Sequence, residues 1–200
     1  MPTGRAETSR RRREAILEAA LECFSTLGYD RTTLADIRAR AGASTGSIYH
    51  HFESKEQIAA SLYLQGTAET QESGLRALLR TKSGKAGVAA QVRSYIDWVL
   101  ANPDKARFLL TMRHEHFLDP DEPAIEALND QVQQRAAQWF ADRIAAGEIP
   151  DIDPSIRRAL VFGPCRHWAG TWLRGAATTS PEQAKRQIAR GAYAALQALG

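Results

Sequence analysis

Between Thr33 and Lys55 the chain gathers hydroxyls, imidazoles and cations in a pattern suited to holding a polyanion rather than to breaking a bond. Thr45, Gly46 and Ser47 are small and polar; Tyr49 and His50 follow one turn later, with His51 and Lys55 beyond. Hydroxyl and imidazole groups exchange hydrogen bonds with base edges in a major groove, and a glycine among them lets the backbone come close. A helix amino terminus adds free N–H groups that favour phosphate. In that chemistry Thr45, Ser47 and His50 would carry most of the sequence choice, while Tyr49 and His50 could also reach phosphate or a thymine methyl group. Thr33 and Lys55 would clamp phosphate at two helix amino termini. His51 suits phosphate too, with a structural role in the turn as the alternative.

These groups need a scaffold with one face buried. Thr33 can cap a short helix, with Asp36 three residues on in the place a capping box usually gives to Glu or Gln. Leu34, Ile37 and Ala41 recur at helical spacing, and Ala41-Gly42-Ala43 ends that helix because glycine enters the left-handed region freely. Ser44 can cap the next helix, where Ile48 and Phe52 lie four apart and turn inward. The result is a helix-turn-helix whose second helix presents the polar set outward.

The run TTLADIRARAGASTGSIYHHFESKEQI resembles the DNA-binding segment of TetR-type transcriptional regulators. The resemblance rests on Tyr49, His51 and Phe52 in a Tyr-x-His-Phe pattern, followed by Lys55; His50 stands where another aromatic or polar residue is often found. It is sharp over residues 10–65 and one of architecture beyond. It implies an all-α protein of about nine helices, with an N-terminal three-helix DNA-binding head and a C-terminal helical body for ligand binding and dimerisation. One recognition helix reads too few bases to find a unique site. A two-fold dimer sets two of them about 34–36 Å apart on a palindromic operator. In proteins of this type the last two helices form that dimer as a four-helix bundle. Suitable residues here are Ala159 and Phe162, then Ala184, Ile188, Ala192, Ala195 and Leu199, with packing inside one subunit as the alternative.

Composition agrees with a soluble regulator. Of 200 residues, 44% are hydrophobic and 24% charged, and the net charge is only +3, so charge placement matters more than its sum. Arg5, Arg10, Arg11, Arg12 and Arg13 face a single Glu7 in the first thirteen residues. Such an arm gains affinity by releasing counterions from phosphate; alone it would equally suit a solvated tail. Cys23 and Cys165 are too few for a disulfide framework and fit core positions in a reducing cytoplasm. No apolar run nears the ~18 residues of a membrane span, and no hydrophobic leader opens the chain.

Helical spacing predicts further elements. A first helix from Ser9 to Leu27 turns Ile16, Ala20, Phe24 and Leu27 inward and stops at Gly28. Ser54 and Gln57 box the start of a long helix that joins a head, residues 1–55, to a body, residues 56–200. Thr81–Gly87 reads as a loop, followed by helices over 88–101, 104–117 and 124–146 around an acidic turn at 119–123. Asp153-Pro154 opens a helix that Pro164 should kink, and Ser180-Pro181 opens the last one.

The body holds all four tryptophans, and an aromatic helical interior suits a bulky apolar or planar effector. Candidate ligand residues are Tyr95, Trp98, Phe108, Met112, Trp139, Trp168 and Trp172, with His116 and Arg143 as polar anchors; plain core packing is the alternative for each. His114 and His116, like Cys165 and His167, are two apart and point away from each other on a helix, so no metal and no cofactor is expected. No phosphate loop, Gly-x-Ser-x-Gly elbow or zinc-protease helix is present, which argues against an enzyme. The reading is therefore a homodimeric repressor of double-stranded DNA released by a small effector. A DNA-binding activator without a ligand is the alternative.

Overall fold

The computed structural model describes residues 4–112 and 123–200, and every regular element among them is an α-helix. The described chain divides into two compact units, residues 4–66 with 107–112 and residues 67–106 with 123–200.

The first unit holds α1 (Gly4–Leu27), α2 (Leu34–Ala41) and α3 (Thr45–His51), the opening turns of α4 (Lys55–Leu79) and the end of α6 (Pro103–Met112). Ile16, Ala20 and Phe24 of α1 pack with Ile37, Ile48, Phe52, Ile58 and Leu62 in one core. The Phe24 ring stacks on Phe108 with centroids 5.5 Å apart, and Tyr29 folds back on Phe24 at 5.3 Å. Leu27, expected to face inward, is 40% exposed: it sits on the last turn of α1, beyond the reach of that core. Gly28 at φ 83° and Gly42 at φ 56° end α1 and α2 in the left-handed region, which an L side chain enters at a cost of about 1–2 kcal/mol.

The caps follow the sequence closely. Thr33 Oγ1 accepts from Asp36 N while Thr33 N donates to the Asp36 carboxylate, closing a capping box with Asp in the third place. Ser44 Oγ accepts from Ser47 N at 3.1 Å and starts α3. Ser54 Oγ accepts from Gln57 N, but the Gln57 side chain reaches back to Glu53 N rather than to Ser54. α1 begins at Gly4 instead of Ser9, so the arginine run is helical. The i,i+4 pair Glu7–Arg11 at 2.6 Å and the Thr8 hydroxyl on the Gly4 carbonyl at 2.8 Å support the added turn.

The second unit holds the rest of α4, α5 (Gly84–Ala101), the start of α6, α7 (Pro123–Ala145), α8 (Pro154–Leu173) and α9 (Pro181–Gln197). Val88, Val92 and Ile96 of α5 pack with Val161 and Cys165 of α8 and with Ala184, Ala192 and Leu196 of α9. A smaller core joins Leu75 and Leu78 of α4 to Ala136 and Trp139 of α7 and to Ile149. Lys185, only 9% exposed, is held by Asp97 at 2.5 Å and Glu182 at 2.6 Å. Both cysteines are buried; burial raises both thiols, that of Cys165 to about 12.

The stretch read as a loop over 81–87 is half helix. Ser83 accepts from Ala86 N at 3.3 Å and starts α5 at Gly84. The two glycines remain helical because close neighbours need their bareness. A Cβ on Gly87 would lie 2.3 Å from the Trp139 ring, and one on Gly84 would lie 2.8 Å from Ile149. α8 runs on through Pro164. The sequence boundary after residue 55 lies at the head of α4, whereas the two units divide inside that helix, after Gly66, because Ile58, Ala59 and Leu62 belong to the first core. The end of the helix expected through Phe117, with His114 and His116, and the acidic turn at 119–123 up to residue 122 lie outside the described residues. No helix among the described residues is long and apolar enough to cross a membrane.

Candidate functional site

Burial of Ile48 (2% exposed) and Phe52 (1%) fixes the rotation of α3. The opposite side then carries Thr45, Gly46, Tyr49 and His50, all exposed, with Ser47 and His51 half-buried beside them. Tyr49 is the most exposed large hydrophobic residue among the described residues, at 58%. Ser44 serves as the cap, which leaves Thr45 as the first outward hydroxyl. Arg38 of α2 donates to Thr45 Oγ1 at 2.8 Å. That bond fills one lone pair of the hydroxyl and leaves its proton for a base edge. The sequence reading missed Arg38. Its signal was present, since Arg38 follows buried Ile37 by one position and so faces away from the core.

The two expected phosphate clamps are both engaged within the protein. The Thr33 hydroxyl donates to Asp36 Oδ2 at 2.6 Å, and this bond holds the Asp36 carboxyl below its usual range. Lys55 Nζ donates to the Tyr29 carbonyl at 2.9 Å and sits 4.3 Å from the centre of the Tyr29 ring, stapling α4 to the turn after α1. Lys55 Nζ also donates to the Asp30 carbonyl at 3.4 Å. Arg10, Arg11 and Arg12 are exposed along α1, and Arg10 and Arg11 have acidic neighbours in Glu14 and Glu7.

Arg12 differs from the other two. With Gly4, Thr8 and Ser9 of α1 and His50 and His51 of α3 it lines an open notch of about 430 Å³. Burial first, then the positive fields of His50, Arg13 and Arg12, push the His51 imidazole below its usual range. The notch is therefore electropositive with a neutral His51 at its wall. Arg13, read from sequence as part of the phosphate-binding arm, donates to Ser61 Oγ at 3.1 Å and lies 4.9 Å over the Phe52 ring, fixing α1 against α3 and α4.

The second unit holds a partly open cavity of about 90 Å³ among α4, α5, α7 and α8. Leu75, Leu78, Val132, Ala136, Val161 and Phe162 form apolar wall. Gln71, Gln91, Asn129 and Gln133 supply amides, and Phe140, Arg157 and Arg158 stand at the α7–α8 side. None of the eight expected ligand residues that are described lines this cavity. Phe108 and Met112 belong to the core of the first unit. Trp139 Nε1 donates to the Thr81 carbonyl at 3.0 Å, and Arg143 donates to the Lys82 carbonyl. Trp168 and Trp172 stack on each other at 5.3 Å, and Tyr95 packs on Phe162 at 5.9 Å. Trp98 is half-buried, its carbonyl accepting from Asn102 N at 2.9 Å at the end of α5. His116 lies outside the described residues. The expected aromatic residues pack elsewhere, while the aromatics of the cavity wall are Phe140 and Phe162.

The expected dimer residues also separate. Ala159 is exposed and Leu199 is 55% exposed, Ile188 and Ala195 are half-buried, and Ala192 is buried in the α5–α8–α9 core. Phe162 lines the cavity. No group of three or more His, Cys, Asp or Glu among the described residues is placed to hold a metal ion.

Residues 16–62 match the family of bacterial regulatory proteins termed tetR, and residues 82–196 match the tetracyclin repressor-like C-terminal domain. The chain belongs to the TetR family. Membership sets it among transcriptional regulators and not among enzymes. It is similar to a helix-turn-helix transcriptional repressor of Mycobacterium tuberculosis, at 31% identity over 100 residues, covering 50% of this chain and 46% of that one. The repressor AcnR of Corynebacterium diphtheriae is 38% identical over 61 residues, 30% of this chain and 32% of its own. The chain thus spans less than half the length of these curated relatives. Among solved structures, a TetR-family regulator of Marinobacter aquaeolei superposes with a TM-score of 0.73 at 21% identity, covering 97% of this chain and 98% of that one. FadR of Bacillus subtilis, solved with stearoyl-CoA, gives 0.71 at 18% identity over 90% and 97%. These two share the fold.

Proposed function

We propose that the protein is a cytoplasmic repressor that binds a palindromic operator as a homodimer and leaves it when a small effector fills the α4–α5–α7–α8 cavity. The observation that carries the reading is the outward set on α3, with Arg38 behind Thr45, on a helix whose rotation Ile48 and Phe52 fix. Thr45, Gly46, Ser47 and His50 meet base edges, and Tyr49 and the arginines of α1 meet phosphate. The matched relatives named as repressors support the sign of regulation.

For the dimer, α8 and α9 offer Ile156, 49% exposed, with Ala159, Gly191 and Ala194 on exposed positions, and Leu199 follows in the turn after α9. Small residues let helices of two subunits approach closely, and a second copy would cover the apolar surface. For release, the cavity borders α4, the helix that begins in the DNA-binding unit. An effector that binds one arrangement of α4 better shifts the population toward it, with no covalent step.

Fluorescence anisotropy on DNA from upstream of the protein's own gene, against a scrambled duplex at two salt concentrations, tests the reading. Selective binding that weakens with salt is expected. Equal, weak binding to both duplexes at low salt would count against an operator there.

A further inference from the structure

We infer that the effector is a compact carboxylic acid bearing a hydroxyl group, its carboxylate on Arg157 and Arg158 and its short apolar body against Leu75, Val132 and Val161. This rests on the reading of the α4–α5–α7–α8 cavity as the effector site and gives that site a chemistry.

The charge is the first argument. Two arginines line the cavity, and among the described residues no Asp or Glu does. The Arg157 guanidinium lies 3.8 Å from the centre of the Phe140 ring, so its plane is fixed by stacking and its N–H edge stays available. No described side chain forms an ion pair or hydrogen bond with either arginine. Asp151 and Asp153, in the turn before α8, act on Arg157 through space only. Burial outweighs their field and pulls its pKa down. A planar fork held in this way matches a carboxylate in two-point contact, which an exposed lysine would not provide.

The second argument is an orphaned acceptor. Gln71 Nε2 donates to Asn129 Oδ1 at 2.9 Å, while Gln71 Oε1 is buried and has no partner. A buried acceptor left without a donor is costly; Gln71 lines the cavity, and turning its amide toward that space would let a ligand hydroxyl satisfy Oε1. Size is the third. The cavity, about 90 Å³ and partly open, is smaller than the roughly 150 Å³ void that accepts benzene, so the apolar body inside it is a short branched chain, and a ring would have to extend through the open side.

The test is calorimetric titration of the full chain with four probes: 2-hydroxyisovalerate, 2-hydroxyisovaleramide, salicylate and salicylamide. At least one acid should bind ten-fold or more tighter than its amide. Arg157→Gln should remove that preference, lowering acid affinity about ten-fold while amide binding stays. Ala136→Leu, which fills the cavity from the far wall, should abolish both, with circular dichroism confirming that each variant folds. Equal affinity for acid and amide, both lost in Ala136→Leu, would overturn the anionic assignment and leave the cavity as effector site. Acid binding that survives Ala136→Leu would remove the cavity from both readings. Silence from all four probes overturns the inference, and the operator assay decides the wider reading separately.

Discussion

In the first unit two buried side chains four residues apart, Ile48 and Phe52, decide which residues of α3 face outward. In the second, the cavity takes walls from α4, α5, α7 and α8, and residues as far apart as Thr70 and Phe162 meet there. The reading face is what remains when a helix buries its apolar stripe; it is local and follows from spacing. The cavity is what remains when four helices fail to fill the space between them. It depends on the shapes of side chains distant in sequence, and no single stretch carries it.

The sharpest break between the two regions should come from Phe52→Ala. Removing this fully buried ring is expected to cost about 3–5 kcal/mol and to abolish operator binding. Because all four tryptophans belong to the second unit, their near-ultraviolet circular dichroism should persist. Collapse of that signal together with DNA binding would show that the two units do not hold separately. Gly87→Ala probes the reverse. The added methyl meets the Trp139 ring and should cost about 1–3 kcal/mol, with a changed tryptophan emission. An unchanged melting temperature would mean that α7 yields easily and that the cavity wall is soft.

Arg38→Ala is expected to weaken operator binding by about 1 kcal/mol, roughly five-fold, and to relax preference at the base that Thr45 reads. Titration of every base at that position would show it; uniform weakening would make Arg38 a phosphate ligand instead. The smallest effect is that of pH. The His51 imidazole has its pKa lowered in the folded chain, chiefly by burial, so the unfolded chain takes up the proton first. Stability of the first unit should therefore fall as pH drops through the ordinary imidazole range near 6.5. Phosphate in the Arg12–His50–His51 notch favours the protonated ring, so operator affinity should rise over the same range. His51→Gln should flatten both slopes, and a slope that survives belongs to another group.

Much of the fold was legible because helix ends announce themselves: Thr33, Ser44, Ser54 and Ser180 cap as their positions suggest, and Gly28 and Gly42 stop helices. What escaped was set by partners distant in sequence. Gly84 and Gly87 look like loop residues until Ile149 and the Trp139 ring are seen pressed against them. The tryptophans look like pocket lining because periodicity marks a side chain as inward without saying which neighbour it meets. Arg157 carried no signal at all, since its meaning comes from Phe140 beneath it and from its place on the wall of a cavity built by four helices.

The two buried thiols have a practical consequence. Cys165 is fully enclosed, bonded to the Val161 carbonyl at 3.3 Å, and its pKa near 12 leaves on the order of one thiolate in 10⁵ at neutral pH. Cys23 is buried and raised in the same direction. A maleimide dye should therefore pass over both and attach to a cysteine introduced at exposed Ser25 alone. With Ser25→Cys on α1 as the single labelling point per subunit, energy transfer between two dyes would measure the separation of the two DNA-binding units in a dimer, with the native cysteines left in place.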